Sequence, residues 1–600
     1  MGKNKTARSV LEICLAAVCS ILLAFLEIRY FRVPVLWLPL AAVVLFLLLR
    51  YLRKIHGKRL FICNAVFSLL LALAFVAGGK ADAKDEKDLA PLYHSDFLYF
   101  AALAVIFFIC FSCLSDFLRR HPVTLREEVC RHPKLVWLLS ALVLFLCWIP
   151  CLLIFYPGNV TGDSVACISG ALGKVPLSNQ QPVFYILLIR LVLHFALAIG
   201  KSVTFGVALF LALQTLVAAF AIGYFFSWLV KNGFPKIAFL LCAVYFIANP
   251  LFSVYAVTMW KDIFFGDFML VYLTLLYDCI HSKGEKLKRP GFLAGFLAVN
   301  LLLCFLRNNG YYIVFLTLIV LAVLYRKLWK RVVPAFLALL VLVPVIQGPV
   351  YKAANIKESP FAESVAIPLQ QIGYTVVKNG KMTAEQKAFV DQLLPLETIK
   401  QVYMPRTADK IKFDKGFNNA FLEKNKVQFI KVWAGMLGPN LKYYIKAYIG
   451  ETLGYWHIGT TNWVALYGTV DKASCRGVGV VEADIPGFSQ LRGIVEGAMS
   501  VLQYNIPVLS LLLSIGFLFW VAAYAAFQMI VQKRKKQLIS LLPLFLLWLT
   551  LMVATPTFCE FRYMFAYATA FPLIVLLAFP QKLAKKGALP KTPQNYTKRE

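Results

Sequence analysis

Charged side chains are scarce in this sequence. They make up 15% of its 600 residues, and 60% of the residues are hydrophobic, whereas soluble domains carry roughly 25% charged residues. The mean hydropathy of +0.71 agrees with this deficit. A set of water-soluble domains is therefore excluded, and the composition predicts an all-α polytopic membrane protein.

Acidic residues are scarcer than basic ones. The chain has 30 Asp and Glu against 62 Lys and Arg, which gives a formal net charge of +32. No basic stretch is interleaved with aromatic residues as in a nucleic-acid-binding module, and the basic clusters lie between apolar segments, where membrane proteins use them for orientation. We predict no nucleic-acid partner, and a multi-pass protein of the plasma membrane with both termini in the cytoplasm.

The cysteines show no pattern typical of a metal or redox site. Most of the 14 lie inside apolar runs, where a free thiol behaves as a small hydrophobic group. Cys110 and Cys113 form a CxxC pattern, but it falls within the apolar run 97–118 and favours helix packing. No cysteine-based site is predicted.

Apolar runs near the ~20 residues that cross a bilayer recur along the chain, and basic linkers follow alternate runs. With a cytoplasmic start, the positive-inside rule predicts about 14 crossings. One conflict arises, because crossings by both 182–200 and 203–230 would put the basic residues 231–236 outside. One of the two segments is therefore predicted not to cross the membrane. The segment 182–200 carries Arg190 and His194 in its middle and could be tilted or partly re-entrant, and a strongly bent 203–230 is the alternative.

This topology divides the chain into five regions. They are amino-terminal transmembrane helices (residues 1–156), a first large outer loop (157–181), a transmembrane core (182–347), a mainly helical extracytoplasmic domain (348–504), and carboxyl-terminal transmembrane helices with a cytoplasmic tail (505–600). Within the extracytoplasmic domain, helical patterns occur around 383–395 and 417–435. Long loops translocate largely regardless of charge, so the basic excess of this domain agrees with an outside location.

The first large outer loop carries a candidate general base. It runs from Tyr156 through Asp163 and Ser164, and ends in Gln180 and Gln181 before the next apolar run. Glycines and prolines around the acid suit a tight chain reversal. A single Asp in a loop is commonly a solvated turn residue. The functional interpretation is a general base, which requires a carboxylate within hydrogen-bond reach of an acceptor hydroxyl. The loop could supply one.

Three more polar clusters are predicted at the same interface. They are Met259-Trp260-Lys261-Asp262, Arg307-Asn308-Asn309-Gly310-Tyr311-Tyr312 and Glu560-Phe561-Arg562-Tyr563. Lys261 and Asp262 also fit an interfacial anchor and a first-turn acid favoured by the helix dipole. Arg307 and Arg562 depart from the charge bias of the outer face and suit a phosphate, which arginine binds bidentately. Ionisable groups at the membrane are functional candidates, and a lipid-bound anionic substrate fits the set.

Together these motifs resemble an uncharacterised family of bacterial polytopic membrane proteins over about residues 150–565. That family is itself similar to the GT-C superfamily of glycosyltransferases. The resemblance implies a GT-C-like fold and an Asp or Glu of the first large outer loop that serves transfer from a polyprenyl-phosphate sugar. That role falls on Asp163, with Asp262 as a second acid. Two departures are that Gly162 stands where GT-C loops often place a second acid, and that five spans precede the loop rather than one.

We predict an integral membrane glycosyltransferase that inverts the sugar, with Asp163 as general base and with Lys261, Arg307 and Arg562 binding the donor phosphate. The supporting polar residues are Ser164, Gln180, Gln181, Asp262, Asn308, Asn309, Glu560 and Tyr563. The expected partners are a polyprenyl-phosphate-sugar lipid donor, an unidentified extracytoplasmic acceptor and membrane lipid. No obligatory cofactor is predicted, although the acids Asp163, Asp262 and Glu560 could offer oxygen ligands to Mg²⁺ or Mn²⁺.

The alternative is a non-enzymatic transporter, flippase or binder of polyprenyl-linked or anionic substrates. Transporters often contain internal repeats and broken helices with polar residues near the middle of the bilayer. Here the polar clusters gather at one interface, and the sequence has no convincing internal repeat. These features favour the enzyme.

Overall fold

The computed structural model describes residues 13, 16–23, 38–52, 57–82, 90–126, 130–554 and 557–583. In these residues the chain is mainly helical with almost no sheet, which confirms the predicted all-α class. The predicted cytoplasmic residues at the amino terminus and most of the predicted carboxyl-terminal tail lie outside the described residues.

The helices before the predicted outer domain fall into two groups. The first group is α1 (Leu38–Leu52), α2 (Lys58–Ala81), α3 (His94–Arg120), α4 (Pro133–Ile154) and the short α5 (Gly162–Ala171). The second is α6 (Val183–Ala198), α7 (Val203–Lys231), α8 (Lys236–Ala248), α9 (Pro250–Ala256), α10 (Lys261–His281), α11 (Pro290–Leu306), α12 (Gly310–Leu324) and α13 (Trp329–Val345).

The remaining helices form the outer domain and the carboxyl-terminal part. The outer domain contains α14 (Tyr351–Ala353), α15 (Ala366–Val377), α16 (Ala384–Leu393), α17 (Leu396–Val402), α18 (Asp409–Lys412), α19 (Asn419–Lys424), α20 (Lys426–Leu437), α21 (Leu441–Thr452), α22 (Lys472–Gly477) and α23 (Arg492–Ser500). After it come α24 (Pro507–Ser510), α25 (Ile515–Val531), α26 (Leu542–Val553) and α27 (Phe565–Ala578). Strands β1 (Val123–Leu125) and β2 (Gln581–Leu583) pair in parallel, with Val123 opposite Gln581.

Among the residues that the structure describes, eight helical stretches are long and apolar enough to cross a membrane, and two bent pairs raise the number to ten. The eight are Lys58–Ala81, His94–Arg120, Pro133–Ile154, Val203–Lys231, Lys261–His281, Arg326–Ala353, Lys535–Val553 and Phe561–Ala578. Four shorter apolar helices, α1, α6, α11 and α12, complete the set. These helices confirm that several segments can span a membrane, and the count of about 14 crossings stays a prediction.

Two apolar segments that read as continuous in the sequence are broken in the structure. Asn249 separates α8 from α9 with a bend of 58°, because a residue before proline disfavours the helical conformation and its side chain accepts a hydrogen bond from the Leu251 amide. Ser514 separates the stretch Pro507–Leu513 from α25 with a bend of 86°. Its extended backbone and its side chain start α25, since the hydroxyl accepts from the Phe517 amide.

Helix α10 lies at the centre of the bundle. In its most apolar window 94% of the residues are buried, and it packs against α7, α11 and α27. A helix that is apolar on all sides is expected to be enclosed by others in this way. Its first residues, Lys261 and Asp262, are therefore held by the most enclosed of the candidate membrane-spanning helices that the structure describes.

The first part of the predicted outer domain has a hydrophobic core of its own, whereas buried residues of its second part, such as Tyr455, Val464 and Met499, belong to the core of the bundle. Buried apolar residues from Ala362 to Ala447 form a cluster separate from that of the bundle, and α15 packs against α21 within it. The helices predicted around 383–395 and 417–435 are present as α16 and as the pair α19 and α20. A separate core is what a domain that folds around its own apolar residues requires.

Candidate functional site

The loop before Asp163 is held on both sides by backbone hydrogen bonds. The Asn159 amide donates to the Val257 carbonyl over 2.9 Å, and the Val160 amide donates to the Gly468 carbonyl over 2.9 Å. Gly158 has a φ of +117°, and a Cβ there would come within 2.9 Å of the Val257 carbonyl oxygen. Glycine is therefore required for this close approach, which ties the loop to the segment before α10 and to the outer domain.

Asp163 lies in the first turn of α5. Thr161 is the N-cap of this helix, and Ser164 completes the capping box, because its hydroxyl accepts from the Thr161 amide over 3.0 Å. The same hydroxyl donates to the Met259 carbonyl over 2.8 Å. A carboxylate in the first turn is stabilised by the helix dipole. Ser164 was predicted to be a supporting polar residue, and the structure makes it fully buried and uses its hydroxyl to fix Asp163.

Arg562 joins two of the predicted acids. Its Nη1 lies 2.6 Å from Asp163 Oδ2, and its Nε lies 3.2 Å from Glu560 Oε1. The Arg562 and Glu560 side chains are largely buried, while that of Asp163 is 38% exposed. Protein also surrounds Asp163 closely enough to hinder its solvation, so the carboxylate is partly enclosed and still reaches solvent. We call the space around Asp163, Arg562 and Lys261 the cleft.

Aromatic rings support the two arginines. The Arg562 guanidinium lies 4.9 Å from the centre of the Trp260 ring and 5.2 Å from that of Tyr563. The Arg307 guanidinium lies 5.4 Å from the same Tyr563 ring and donates to the Tyr563 carbonyl over 3.0 Å. Trp260 is itself oriented by its indole N–H, which donates to Thr161 Oγ1 over 3.0 Å. Tyr563 therefore separates and positions both guanidinium groups.

The turn that carries Arg307 depends on Gly310. A Cβ at Gly310 would come within 2.1 Å of the Leu303 carbonyl oxygen, so only glycine allows α11 and α12 to meet this closely. The turn places Arg307 Nε 3.3 Å from Asp262 Oδ1. The Asp262 side chain is 1% exposed, and neither of its oxygens accepts a hydrogen bond from the described residues.

Lys261 contacts a neutral acceptor. Its Nζ donates to the side-chain amide oxygen of Gln181, which begins the chain segment leading to α6. Arg562 and Arg307, by contrast, each contact a carboxylate. Lys261 is therefore the predicted phosphate ligand whose contact partner carries no charge.

The remaining predicted residues lie at the rim. Asn308 donates to the Asn179 carbonyl over 2.9 Å, and Asn309 donates to Thr550 Oγ1 over 2.9 Å. Gln180 donates to Glu363 Oε1 over 3.2 Å. Asn308 and Asn309 brace the helices around the cleft, and Gln180 connects the first large outer loop to the outer domain.

The outer domain adds a cation that the sequence analysis missed. Lys412 Nζ lies 2.5 Å from Glu363 Oε2 and 3.0 Å from Asp409 Oδ1, and its side chain is 2% exposed. The field of Lys412 acts on Asp163, and that of Asp409 acts on Glu560. In a basic domain a lysine gives no signal in sequence, and only the Asp409-x-x-Lys412 spacing on one helix face hints at this pair.

Glu451 fixes the position of α18. Its Oε2 accepts from Gln370 Nε2 over 2.9 Å, and its Oε1 accepts from the Ala408 amide over 3.2 Å. Burial raises the pKa of Glu451 well above its usual range. Gln371 accepts from the Trp433 indole over 2.7 Å and belongs to the outer-domain core. Gln370 and Glu451 thus hold the backbone directly before Asp409.

The acids of the site differ in their electrostatic environment. Burial alone would raise the pKa of Asp163, but Arg562, Lys261 and Lys412 outweigh it and lower that pKa below its usual range. Burial raises the pKa of Glu560, and the Arg562 charge offsets this only in part. Of Asp163 and Glu560, Asp163 is therefore the carboxylate more firmly held in its ionised form.

The acids do not converge as a metal site. Among the residues that the structure describes, no group of three or more His, Cys, Asp or Glu side chains is arranged to hold a metal ion. Asp163, Asp262 and Glu560 are each paired with an arginine instead.

A family model described as a family of unknown function, DUF6020, matches residues 173–591. Lys261, Arg307, Glu560 and Arg562 lie within the matched region, and Asp163 precedes it. Among curated proteins and solved structures, nothing matches the chain.

Proposed function

Since the chain belongs to the DUF6020 family, whose function is unknown, no activity follows from membership, and we propose one from the geometry of the cleft. The protein is an integral membrane glycosyltransferase of GT-C type, with its site at the outer face of the plasma membrane. It moves a sugar from a polyprenyl-phosphate donor to an extracytoplasmic acceptor with inversion. The observation that carries this proposal is a half-exposed carboxylate, Asp163, surrounded by Arg562, Lys261 and Lys412.

In this proposal Asp163 accepts the proton of the acceptor hydroxyl. The hydroxyl oxygen then forms a bond to the anomeric carbon, the bond between that carbon and the phosphate oxygen breaks, and the polyprenyl phosphate leaves with the negative charge. General base catalysis requires an ionised carboxylate within reach of the hydroxyl. The lowered pKa of Asp163 keeps the group ionised at neutral pH, and it also makes the carboxylate a weaker base while Arg562 is bound to it.

The cations are suited to the charge on the leaving group. Arg562 and Arg307 are already held by carboxylates and aromatic rings, so they need little reorganisation when charge develops on a phosphate. Lys261, which contacts only the neutral Gln181 oxygen among the contacts described above, can exchange that contact for a phosphate oxygen at low cost. A phosphate that draws Arg562 away would also raise the basicity of Asp163.

The outer domain offers space for an acceptor beside the cleft. An open cavity of about 720 Å³ is lined by Tyr403, Asp409 and Phe413 among others. The Asp409 side chain is 42% exposed although it also pairs with Lys412. Aromatic faces and carboxylates are groups that bind sugars, and this cavity is therefore the proposed acceptor side of the site.

Turnover of labelled polyprenyl-phosphate sugars by the purified protein in lipid tests the proposal. We expect Asp163→Asn to reduce sugar release by at least about 10²-fold, the usual contribution of a general base, while donor binding persists. Asp484→Asn is the matched control, because Asp484 also pairs with an arginine, Arg492, at 3.2 Å but is 75% exposed. The control should keep wild-type turnover.

Equal behaviour of wild type and Asp163→Asn, with donor binding but no turnover in either, would contradict the enzyme and favour a lipid binder or transporter. Chelation provides a second arm. We expect turnover to persist in EDTA, and a loss that added Mg²⁺ or Mn²⁺ restores would contradict a metal-independent mechanism.

A further inference from the structure

Helices α20 and α21 of the outer domain carry apolar rows on their exposed sides. On α20 the row is Val427, Ile430, Ala434 and Leu437, and on α21 it is Leu441, Ile445 and Tyr448. The spacings of three and four residues place each row on one helix face. Except for the small Ala434, these side chains are between 37% and 71% exposed.

These rows are not needed for the core of the domain. The opposite faces of the two helices already fill it with Phe429, Met436 and Tyr444, which are at most 1% exposed. Single exposed apolar residues are common, but a continuous exposed apolar surface marks an interaction site. Helices α20 and α21 are therefore each apolar on a face that the described residues leave uncovered.

The position of α21 indicates what covers that face. The Tyr448 hydroxyl donates to the Met552 carbonyl over 3.0 Å, at the end of α26. Helix α26 belongs to a membrane-spanning stretch, and its Leu549 and Val553 are exposed, as lipid-facing residues are. The last residue of the apolar row of α21, Tyr448, thus lies beside the end of α26, next to the exposed apolar residues of that helix.

The charge of α20 and α21 also supports a membrane as the surface that covers these faces. Residues 424–450 contain five lysines, at positions 424, 426, 431, 442 and 446, and no Asp or Glu. Helices with an apolar face and flanking lysines are typical of segments that lie in the interface of an anionic membrane. Glu451 near the end of α21 is the one acidic residue of the two helices, and it is buried inside the domain, where it accepts hydrogen bonds from Gln370 and the Ala408 amide. A protein partner would not require an exposed surface with lysines and no acidic residues.

We propose that α20 and α21 lie in the interfacial layer of the bilayer leaflet next to the cleft. Their apolar rows contact acyl chains, and their lysines bind anionic lipid headgroups. Because α21 also carries Glu451, which accepts from the Ala408 amide, this anchorage holds α18 and Lys412 at the height of Asp163. The membrane contact does not depend on the reaction proposed above.

Site-specific fluorescence quenching tests this placement in the full-length protein in nanodiscs. A genetically encoded fluorescent amino acid replaces Ile430 or Ile445, which are exposed, and in the control it replaces Glu397, which is 78% exposed on α17. We expect brominated lipids to quench the first two positions and aqueous iodide to leave them unaffected. The Glu397 position should respond in the opposite way.

Lipid charge sharpens the test. Brominated phosphatidylglycerol should quench the probe at position 445 more than brominated phosphatidylcholine at low salt, and high salt should reduce this preference by screening. The double variant Lys431→Glu with Lys442→Glu should lose the preference and keep the same elution volume. Quenching by iodide alone would mean that the face is in water, and protection from both quenchers would mean that protein covers it. Either result overturns the proposal.

Discussion

Two polar clusters of this protein are built on opposite principles. Between α2, α3 and α25, Ser115 donates to Asn64 Oδ1 over 3.0 Å and accepts from Gln528 Nε2 over 2.6 Å, and it lies 3.1 Å from the Tyr524 hydroxyl. These side chains are neutral and almost completely buried. The cleft cluster around Arg562 is charged instead, and its Asp163 is half-exposed.

We interpret this difference as one between a structural cluster and the proposed functional site. In the neutral cluster each side chain has partners on other helices, so the hydrogen bonds hold the bundle together and no charge is buried. In the cleft, charged side chains are buried, which costs desolvation free energy. Only close partners of opposite charge offset that cost. A buried oxygen that accepts no hydrogen bond from the described residues occurs in both clusters, on Asp262 in the cleft and on Gln528 in the neutral one. Accessible surface is what distinguishes the two, because the Asp163 side chain keeps it. A cluster kept for stability alone would be expected to close, as the neutral one does.

Removal of the Arg562 charge should produce the largest effect. Arg562→Gln is expected to lower turnover by about 10²-fold to 10³-fold, the cost of losing one preorganised donor to a developing charge. Arg562→Lys should recover only part of this loss, because one ammonium cannot bridge Asp163 and Glu560 as the guanidinium does. The measurement is kcat at saturating donor.

The matched control for that prediction is Arg492→Gln, which breaks contacts with Glu482 and Asp484 in the outer domain. It should leave kcat unchanged. Equal losses in both variants would mean that the arginines contribute through folding, and the contrast between the two clusters would then fail.

A pH effect of intermediate size is expected from the buried acids. The pKa of Glu451 is raised by burial, so the folded protein holds a proton that the unfolded chain releases above the ordinary Glu pKa of about 4.3. Stability should therefore fall as pH rises from there, by at most about 1.4 kcal/mol per pH unit for this group. Asp163, whose pKa is lowered, contributes in the opposite sense, and its contribution is lost only in acid.

Unfolding temperatures in nanodiscs between pH 5 and pH 8 check this expectation. Glu451→Gln should flatten the decline without abolishing it, because burial also raises the pKa values of Glu560 and Asp409. Gln528→Leu, in the neutral cluster, should leave the decline as in wild type. A decline of equal slope in Glu451→Gln would exclude Glu451 as its source.

The smallest effect is expected inside the bundle. Gln528→Leu removes the 2.6 Å hydrogen bond to Ser115 and should cost about 0.6 kcal/mol, the average for interhelical hydrogen bonds in membranes. Turnover should not change, since the cluster lies away from the cleft. Reduced turnover with unchanged stability would contradict the division of roles between the two clusters.

Much of the architecture was predictable from residue patterns. The long apolar runs predicted membrane-spanning helices, and the patterns around 383–395 and 417–435 predicted outer-domain helices that are present. The break at Ser514 was not predictable, because a serine inside an apolar run is compatible with a continuous helix as well as with a cap. Hydropathy reports how apolar a segment is and is insensitive to such bends.

The candidate site was predictable in part. Charge bias placed Asp163, Glu560 and Arg562 at one interface, and the structure brings their side chains into contact although 399 positions separate Asp163 from Arg562. Ser164 was grouped with them but completes the capping box of α5. Lys412 was missed, since its burial beside Glu363 arises from the packing of α18 in the outer domain.

The sequence alone determined that this chain is a helical membrane protein with polar motifs beside its apolar segments, because the bilayer imposes length and hydrophobicity on every segment that crosses it. Tertiary structure decided which of those polar groups meet. Only the packing of α5, α10 and α27 joins Asp163 to Arg562 and Trp260, and only the outer domain brings Lys412 near them. Ion pairs between distant positions depend on distances of a few ångströms, which no local pattern of residues encodes.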